Sequence, residues 1–283
     1  MKGLVDKNFD VVGKACAAKI KPQEYVDIHC HCLPGMDDGP PTRSEAIELC
    51  RGLYEDGICS VIATPHQLGR FSDCNEAAQI REEVTVLNGE LRDSNIHLKI
   101  LPGGDVRVDE RICQLLEADR VMTLADGGKY ILLELPHEVF VDIEPLLVEL
   151  ISLGIHPIIS HPERHFVFVK QPKILLKWLA YSAHLQITAG SLLGEFGVPA
   201  QKAAWQFLNS GWASLVATDA HDLQERKPCM SAAYSHISIK LGEKIARLVC
   251  VENPLRILNG QDIRTVGSIG TRKCIDETVS SNL

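Results

Sequence analysis

Short runs rich in valine and isoleucine recur along this chain, and most are followed by a stretch whose apolar positions return with helical period. The first run, over 25–31, predicts a strand. Thr42 or Ser44 then caps a helix through Ala46, Ile47, Leu49, Leu53 and Tyr54, stopped at Gly57. A second strand is expected over 58–64, closed by Pro65-His66. Ser72 or Asp73 is the expected cap of a long helix carrying Ile80, Val84, Leu87 and Leu91. Further strands are predicted over 96–101, 130–135, 156–160, 185–188 and 214–218, and helices over 143–153, 172–181 and 198–208. Seven β-α units in this rhythm predict an α/β fold around a parallel sheet, closed or nearly closed. In such folds the active site lies at the C-terminal ends of the strands.

Composition narrows the picture without changing it. The 283 residues are 45% hydrophobic and 23% charged, as in a globular protein with a sizeable core. The expected organisation is an N-terminal extension over 1–24, a catalytic barrel over 25–261, and a loose tail over 262–283 carrying Gly267, Gly270, Ser280 and Ser281. A formal net charge of -8 argues against a nucleic-acid surface. No run approaches ~20 apolar residues, so no membrane insertion is expected. Lys2, Asp6, Lys7, Asp10 and Lys14 occupy the region where a signal peptide needs an apolar core. Ten cysteines without zinc-ribbon spacing read as reduced, mostly buried thiols of a cytoplasmic protein.

The polar residues at strand ends carry the chemistry. Period two puts His29 and His31 on one face of the first strand and turns Cys30 and Cys32 toward the helices. Asp27 is expected to orient an imidazole. Apolar runs also end in His66, Glu134, His161 and the pair Asp219 and His221. Recurrent imidazoles and carboxylates at one end of a sheet suit a multinuclear metal centre. Asp37 and Asp38 precede Gly39-Pro40, so either can form an Asx turn; Asp38 is the preferred ligand and Asp37 the turn-former. Asp105, after Gly103-Gly104, reads as a ligand or as a capping carboxylate. Glu134 closes an apolar strand, where a carboxylate is costly unless paired or metal-bound.

Arg164 is either a phosphate clamp or one half of a salt bridge with Glu163. Five imidazoles are neutral and four carboxylates give -4, so three divalent cations would leave a surplus of about +2, suited to a phosphate monoester dianion. Covalent thiol chemistry is not expected, and neither a Gly-x-Ser-x-Gly elbow nor a P-loop is present.

These motifs in combination resemble one family. They are Asp27-Ile28-His29-x-His31 with Leu33-Pro34-Gly35-x-Asp37-Asp38-Gly39-Pro40, Ala63-Thr64-Pro65-His66, Ile158-Ile159-x-His161-Pro162-Glu163-Arg164, Ile187-Thr188-Ala189-Gly190-Ser191-Leu192-Leu193-Gly194-x-Phe196-Gly197 and Ala217-Thr218-Asp219-Ala220-His221. The family is the bacterial metal-dependent tyrosine-protein phosphatases of capsule and exopolysaccharide loci, in the polymerase and histidinol phosphatase (PHP) superfamily. The resemblance runs from about Tyr25 to about Leu258. It implies a distorted seven-stranded (β/α) barrel of the PHP type holding up to three divalent metal ions, manganese foremost, with iron, zinc or magnesium as alternatives. The implied ligands are His29, His31, Asp38, His66, Asp105, Glu134, His161, Asp219 and His221.

The resemblance also implies that Arg164 engages the phosphate. The expected reaction is attack on phosphorus by a metal-bridging hydroxide, with the leaving phenolate protonated by His66 or His221, whichever is not fully committed to metal, and with Phe71, His165 and Phe166 flanking the phosphotyrosine ring. The implied substrate is a phosphotyrosine protein, foremost a bacterial tyrosine kinase of polysaccharide export. The family usually has Glu where this chain has Asp105, and the segment over 1–24 exceeds the family's usual start. A histidinol-phosphatase-like phosphoesterase, a metal-dependent amidohydrolase and an inactive phosphotyrosine-binding scaffold are the alternatives.

Overall fold

The computed structural model describes residues 25–72 and 74–265. The expected N-terminal extension and most of the expected tail therefore lie outside the described residues. Nine strands are present among those described: β1 (Tyr25–Cys30), β2 (Ile58–Ala63), β3 (His66–Gln67), β4 (Lys99–Pro102), β5 (Asp105–Arg107), β6 (Tyr130–Glu134), β7 (His156–Ser160), β8 (His184–Thr188) and β9 (Ala213–Ala217). They form a three-stranded sheet, β1-β2-β4, and a six-stranded sheet, β3-β5-β6-β7-β8-β9. Every ladder is parallel.

The strand count differs from the expected seven because two runs are interrupted. Thr64-Pro65 separates β2 from β3, and Gly103-Gly104 separates β4 from β5. Proline has no N–H to give a ladder. At Gly104 a Cβ would lie 2.3 Å from the Gln67 side-chain oxygen, so a larger residue there would have to displace Gln67. The two sheets also meet at their other edge. His31 N donates to the Ala220 carbonyl at 2.9 Å, and Asp219 N donates to the His29 carbonyl at 2.8 Å, joining the ends of β1 and β9.

Among the described residues eleven α-helices connect and cover the strands: α1 (Arg43–Glu55), α2 (Ala77–Asp93), α3 (Ile112–Glu117), α4 (Glu144–Ser152), α5 (Phe166–Lys170), α6 (Ile174–Ala180), α7 (Ala189–Leu193), α8 (Gly197–Asn209), α9 (Met230–Leu241), α10 (Glu243–Arg247) and α11 (Asn253–Leu258). Thr42 and Glu45 close a capping box at the start of α1, which buries Ala46, Leu49, Cys50 and Leu53. The start of α2 lies later than expected. Ser72 instead donates its hydroxyl to the Gly69 carbonyl at 2.7 Å, holding a turn, and Glu76 is the N-cap residue. Asp73 lies outside the described residues.

Period-two alternation divides the core. Leu132, Ile158, Leu215 and Ala217 face an inner cluster, whereas Ile131, Leu133, Ile159 and Val216 pack outward against the helices. Glu134 and Asp219 continue the inward-facing rows of β6 and β9 beyond the apolar residues. Cys30, Cys32 and Cys50 lie fully buried in the outer cluster, where burial pushes the Cys30 thiol well up and the neighbouring Cys32, followed by burial, does the same to Cys50. The first residues of the expected tail are tied down: the Asn253 side chain bonds both backbone groups of Arg264, and Ile263 N donates to the Tyr130 hydroxyl. No helix among the described residues is long and apolar enough to cross a membrane.

Candidate metal centre

The strand ends bring together all nine residues expected as ligands. Four overlapping groups place one ligand atom of each member within 4.8 Å of the others: His31, Asp38, His66 and His221; His29, Asp105 and His161; His29, His31 and Asp219; and His66, Asp105 and Glu134. Asp105 belongs to two groups. Its Oδ2 is 3.6 Å from His29 Nε2 and 3.4 Å from His66 Nδ1.

The ring orientations follow from the hydrogen bonds behind them. His31 Nδ1 pairs with Asp37 Oδ2 at 2.6 Å, and His29 Nδ1 with the Gln186 side-chain oxygen at 2.9 Å. Each bond sets its ring as an Nδ1–H donor and leaves Nε2 as a lone pair. The two Nε2 atoms then approach to 3.2 Å, and Asp219 Oδ1 lies 3.2 Å from the His29 nitrogen. Two lone pairs at that separation repel unless a cation sits against them. Asp37 serves several neighbours at once. Besides His31, it accepts from His66 N and Gly39 N. Asp38 instead points outward to His66 Nε2 and His221 Nε2, each at 3.4 Å.

The donor set fits cations on two further grounds. Both oxygens of Asp105 and Oδ1 of Asp219 are buried without a hydrogen-bond partner. Carboxylates in that state are costly without a compensating positive charge. Two of the imidazoles are held in the neutral, ligating form. Burial and the neighbouring His221 push His31 down to about 4, and burial with Arg164 pushes His161 well down. Burial works to lower His66 as well, but the Asp105 and Asp38 carboxylates outweigh it and raise that ring to about 11. Burial and the Asp105 charge push Glu134 up. For Asp219 burial is outweighed by His29, Arg164 and Arg226, which hold it well below the usual carboxylate range.

Backbone strain accompanies the cluster. His161 and Asp219 sit in the left-handed region at φ 33° and 55°. For non-glycine residues that costs of order 1–3 kcal/mol, and both turns aim a side chain across the strand ends.

A cavity of about 340 Å³ opens over this cluster, lined by Asp38, His66, Phe71, Glu134, His137, His161 and Asp219 together with Arg70, Arg107, Arg164 and Arg226. Arg164 donates to Asp219 Oδ2 at 2.6 Å, and its guanidinium lies 4.6 Å from the centre of the Phe196 ring. Glu163 turns the other way, accepting from Thr188 N at 3.0 Å and Ser191 Oγ at 2.7 Å, so the two are not a pair. A larger depression of about 550 Å³ beside Trp205, Lys202 and Lys240 carries no histidine, cysteine or carboxylate.

Other expectations are corrected. Asp27 touches no imidazole; its carboxylate takes Thr218 N at 3.0 Å, the Thr218 hydroxyl, and His29 N, because the β1–β9 seam supplies backbone donors there. His165 and Phe166 do not line the cavity. His165 is buried, caps α5 by accepting from Val167 N, and stacks on Phe168. Only Phe71 of that expected trio borders the opening, stacked on His66 at 5.6 Å.

The spacing Cys250-x5-Arg256 is that of a thiol-phosphatase loop, although no such loop was expected from the sequence. Here it spans a π-turn and α11. Cys250 is fully buried, burial pushes its thiol far up, and Arg256 bonds the Asp262 carbonyl. A thiol in that state is no nucleophile.

Gln186, Arg107, His137 and Arg226 were not expected in the site. Arg226 contributes a guanidinium 2.7 Å from His221 Nε2 and a second nitrogen 2.5 Å from Asp219 Oδ2. Gln186 was legible as a polar residue inside the apolar run 185–188, and Arg107 as the residue two beyond Asp105 on the same face. Nothing in the polar loop around Arg226 marks it out.

A parallel α/β fold with imidazoles and carboxylates converging at its strand ends defines a class of protein, the candidate multinuclear metal site on a sheet of β-α units. Within that class the chain belongs to the capsular polysaccharide synthesis family CpsB/CapC, whose model matches residues 25–259. It is 34% identical over 239 residues to the tyrosine-protein phosphatase YwqE of Bacillus subtilis, covering 84% of this chain and 93% of that protein. It is 29% identical to the tyrosine-protein phosphatase CpsB of Streptococcus pneumoniae, covering 83% and 99%. A solved structure from work on those two proteins, described as metal-dependent tyrosine phosphatases, superposes with a TM-score of 0.81 at 33% identity, over 85% of this chain and 96% of that one.

Proposed function

We propose that this chain is a metal-dependent protein-tyrosine phosphatase acting in capsular or exopolysaccharide synthesis. The observation that carries the reading is Asp105, a fully buried carboxylate with neither oxygen hydrogen-bonded, set between His29 and His66. Family membership and the names of the relatives support the reaction class. The nine strands read best as seven segments, two of them broken at Pro65 and at Gly103-Gly104, of one distorted barrel closed by the β1–β9 contact.

His29, His31, Asp38, His66, Asp105, Glu134, His161, Asp219 and His221 would hold up to three divalent cations, manganese foremost, with iron, zinc or magnesium as alternatives. When bound, such cations polarise phosphoryl oxygens and acidify water enough for attack on phosphorus without a protein nucleophile. The chain's own residues do the rest. Arg164 and Arg226 converge on Asp219 and so stand where they can clamp the phosphoryl oxygens in planar forks. Phe71 offers a ring edge or face to the phenol at the cavity wall. Of the two expected proton donors to the departing phenolate, His66 lines the cavity and His221 does not, which favours His66.

The substrate in this reading is a phosphotyrosine protein, foremost the tyrosine kinase of polysaccharide export, and the compartment is the cytoplasm. The eight cysteines among the described residues are free, in keeping with a reducing compartment. Turnover of a phosphotyrosine peptide, histidinol phosphate, single-stranded DNA and an N-acyl amide, compared side by side with manganese added, tests the proposal. Release from the phosphotyrosine peptide that disappears in His31→Ala supports it. Preference for histidinol phosphate, or hydrolysis of the amide alone, overturns it in favour of the corresponding relative. Equal slow release by wild type and variant leaves a binding scaffold.

A further inference from the structure

The cavity mouth is rich in guanidiniums, each paired with one of the lining carboxylates Asp38, Glu134 and Asp219. Four guanidiniums line it, and they fall into two pairs. Arg164 and Arg226 share Asp219 Oδ2 deep in the site. Arg70 and Arg107 stand at the rim, Arg70 bonded to Asp38 at 3.0 Å and Arg107 to Glu134 at 3.0 Å.

The rim pair is built rather than incidental. Phe71 N donates to the Leu68 carbonyl at 3.0 Å, closing a tight turn with Leu68 and Gly69 both at positive φ and Arg70 at its tip. The Arg70 guanidinium rests 4.8 Å from the centre of the Phe71 ring, so the charge is held at the edge of the opening. β3 lies beside β5, with His66 opposite Asp105, which carries Arg107 alongside that turn. A Cβ on Gly69 would lie 3.0 Å from Arg107 Cγ, so the glycine is what lets the turn lie close against the Arg107 side chain. Arg70 remains 68% exposed on its side chain and Arg107 33%, open to an incoming group.

Their present partners are Asp38 and Glu134, both in the candidate ligand set. Cations held by those carboxylates would compete for the same oxygens and leave the two guanidiniums short of a counter-charge.

Resting on the phosphatase reading above, we propose that Arg70 and Arg107 form a second anion subsite at the rim. The preferred substrates are then phosphotyrosine segments bearing another anionic group beside the phosphorylated residue, either a carboxylate or a second phosphate.

Three peptides of equal length test this with the full chain and added manganese: one phosphotyrosine between neutral residues, one between glutamates, and one with a second phosphotyrosine nearby. KM and kcat are measured for each. Difluoromethylphosphonate versions, which cannot be hydrolysed, give Kd by fluorescence anisotropy. The expected result is a KM and a Kd about five-fold lower for at least one anionic peptide than for the neutral one, as two partly exposed ion pairs would give. That neutral-to-anionic ratio should fall toward one in Arg70→Gln and in Arg107→Gln, whatever happens to kcat. Preference for the glutamate peptide or for the doubly phosphorylated one says which anion the rim takes. Equal KM and Kd for all three peptides in the wild type, or a ratio untouched by both substitutions, overturns the subsite and leaves the phosphatase reading standing. Turnover of none of the three overturns both.

Discussion

Asp105 shows how much one side chain can decide. It is fully buried beside His29 and His66, and neither of its oxygens has a hydrogen-bond partner. If it holds cations, Asp105→Asn keeps the shape and removes the charge. The expected outcome is loss of bound metal, read by elemental analysis, and a loss of activity of at least about 10- to 100-fold. Asp105→Glu restores the charge one methylene further out and is expected to retain metal. An Asn variant with full metal content would remove Asp105 from the ligand set. Arg164→Ala should cost on the order of 100-fold in kcat/KM, because in the proposed reaction its guanidinium faces the developing charge. Arg164 was legible in the run His161-Pro162-Glu163-Arg164. Arg226, which shares its carboxylate, was not, since a loop residue has no period to betray its direction.

At the scale of elements, the β1–β9 seam positions the imidazole pair. Asp27 binds Thr218 through both backbone N–H and hydroxyl and takes His29 N as well. Asp27→Ala would leave buried donors unpaired, at about 1–3 kcal/mol each. The expected result is a lowered Tm together with weakened metal retention, since His29 hangs from the same strand. Thr42→Ala should lower stability by about 1 kcal/mol through the lost cap of α1 and leave metal content unchanged. The strands and the helices α1, α2, α4, α6 and α8 were legible because burial of one face imposes a period; α9, twelve residues long, was not expected, and its Ile239 stands exposed while Ile237 is buried. Short helices such as α3, α5 and α7 were not, being too brief to complete one. The breaks at Pro65 and Gly103-Gly104 could be located in the sequence, but not the second sheet they create.

For the whole molecule, cations that bind the folded state alone must stabilise it. Chelation is expected to lower Tm, by an amount corresponding to about 2.7 kcal/mol if the ion had been held at 100 times its Kd. An unchanged Tm after verified metal removal would count against a structural contribution from the centre. A separate pH dependence arises at the opposite end of the strands. Burial, and then the neighbouring His156, push His184 down to about 4 from an unfolded value of 6.5. The folded form carries the neutral ring, so the unfolded chain binds the extra proton in that window. Stability is therefore expected to fall as pH drops from about 6.5 toward about 4, and the dependence to flatten in His184→Gln. Denaturant midpoints across that range would show it.

Local patterns in the chain were enough to establish the α/β rhythm, the polar residues at strand ends, and the imidazoles and carboxylates they bring there, because backbone period and side-chain chemistry are properties of neighbours in sequence. Which nitrogen of His31 faces inward, that Asp37 rather than Asp27 orients an imidazole, and that Gln186 and Arg226 complete the site depended on residues far apart in sequence meeting across β1, β8 and β9. Those contacts exist only once the sheets bring the strand ends together, since hydrogen bonds and charge act over a few ångströms of space and take no account of distance along the chain.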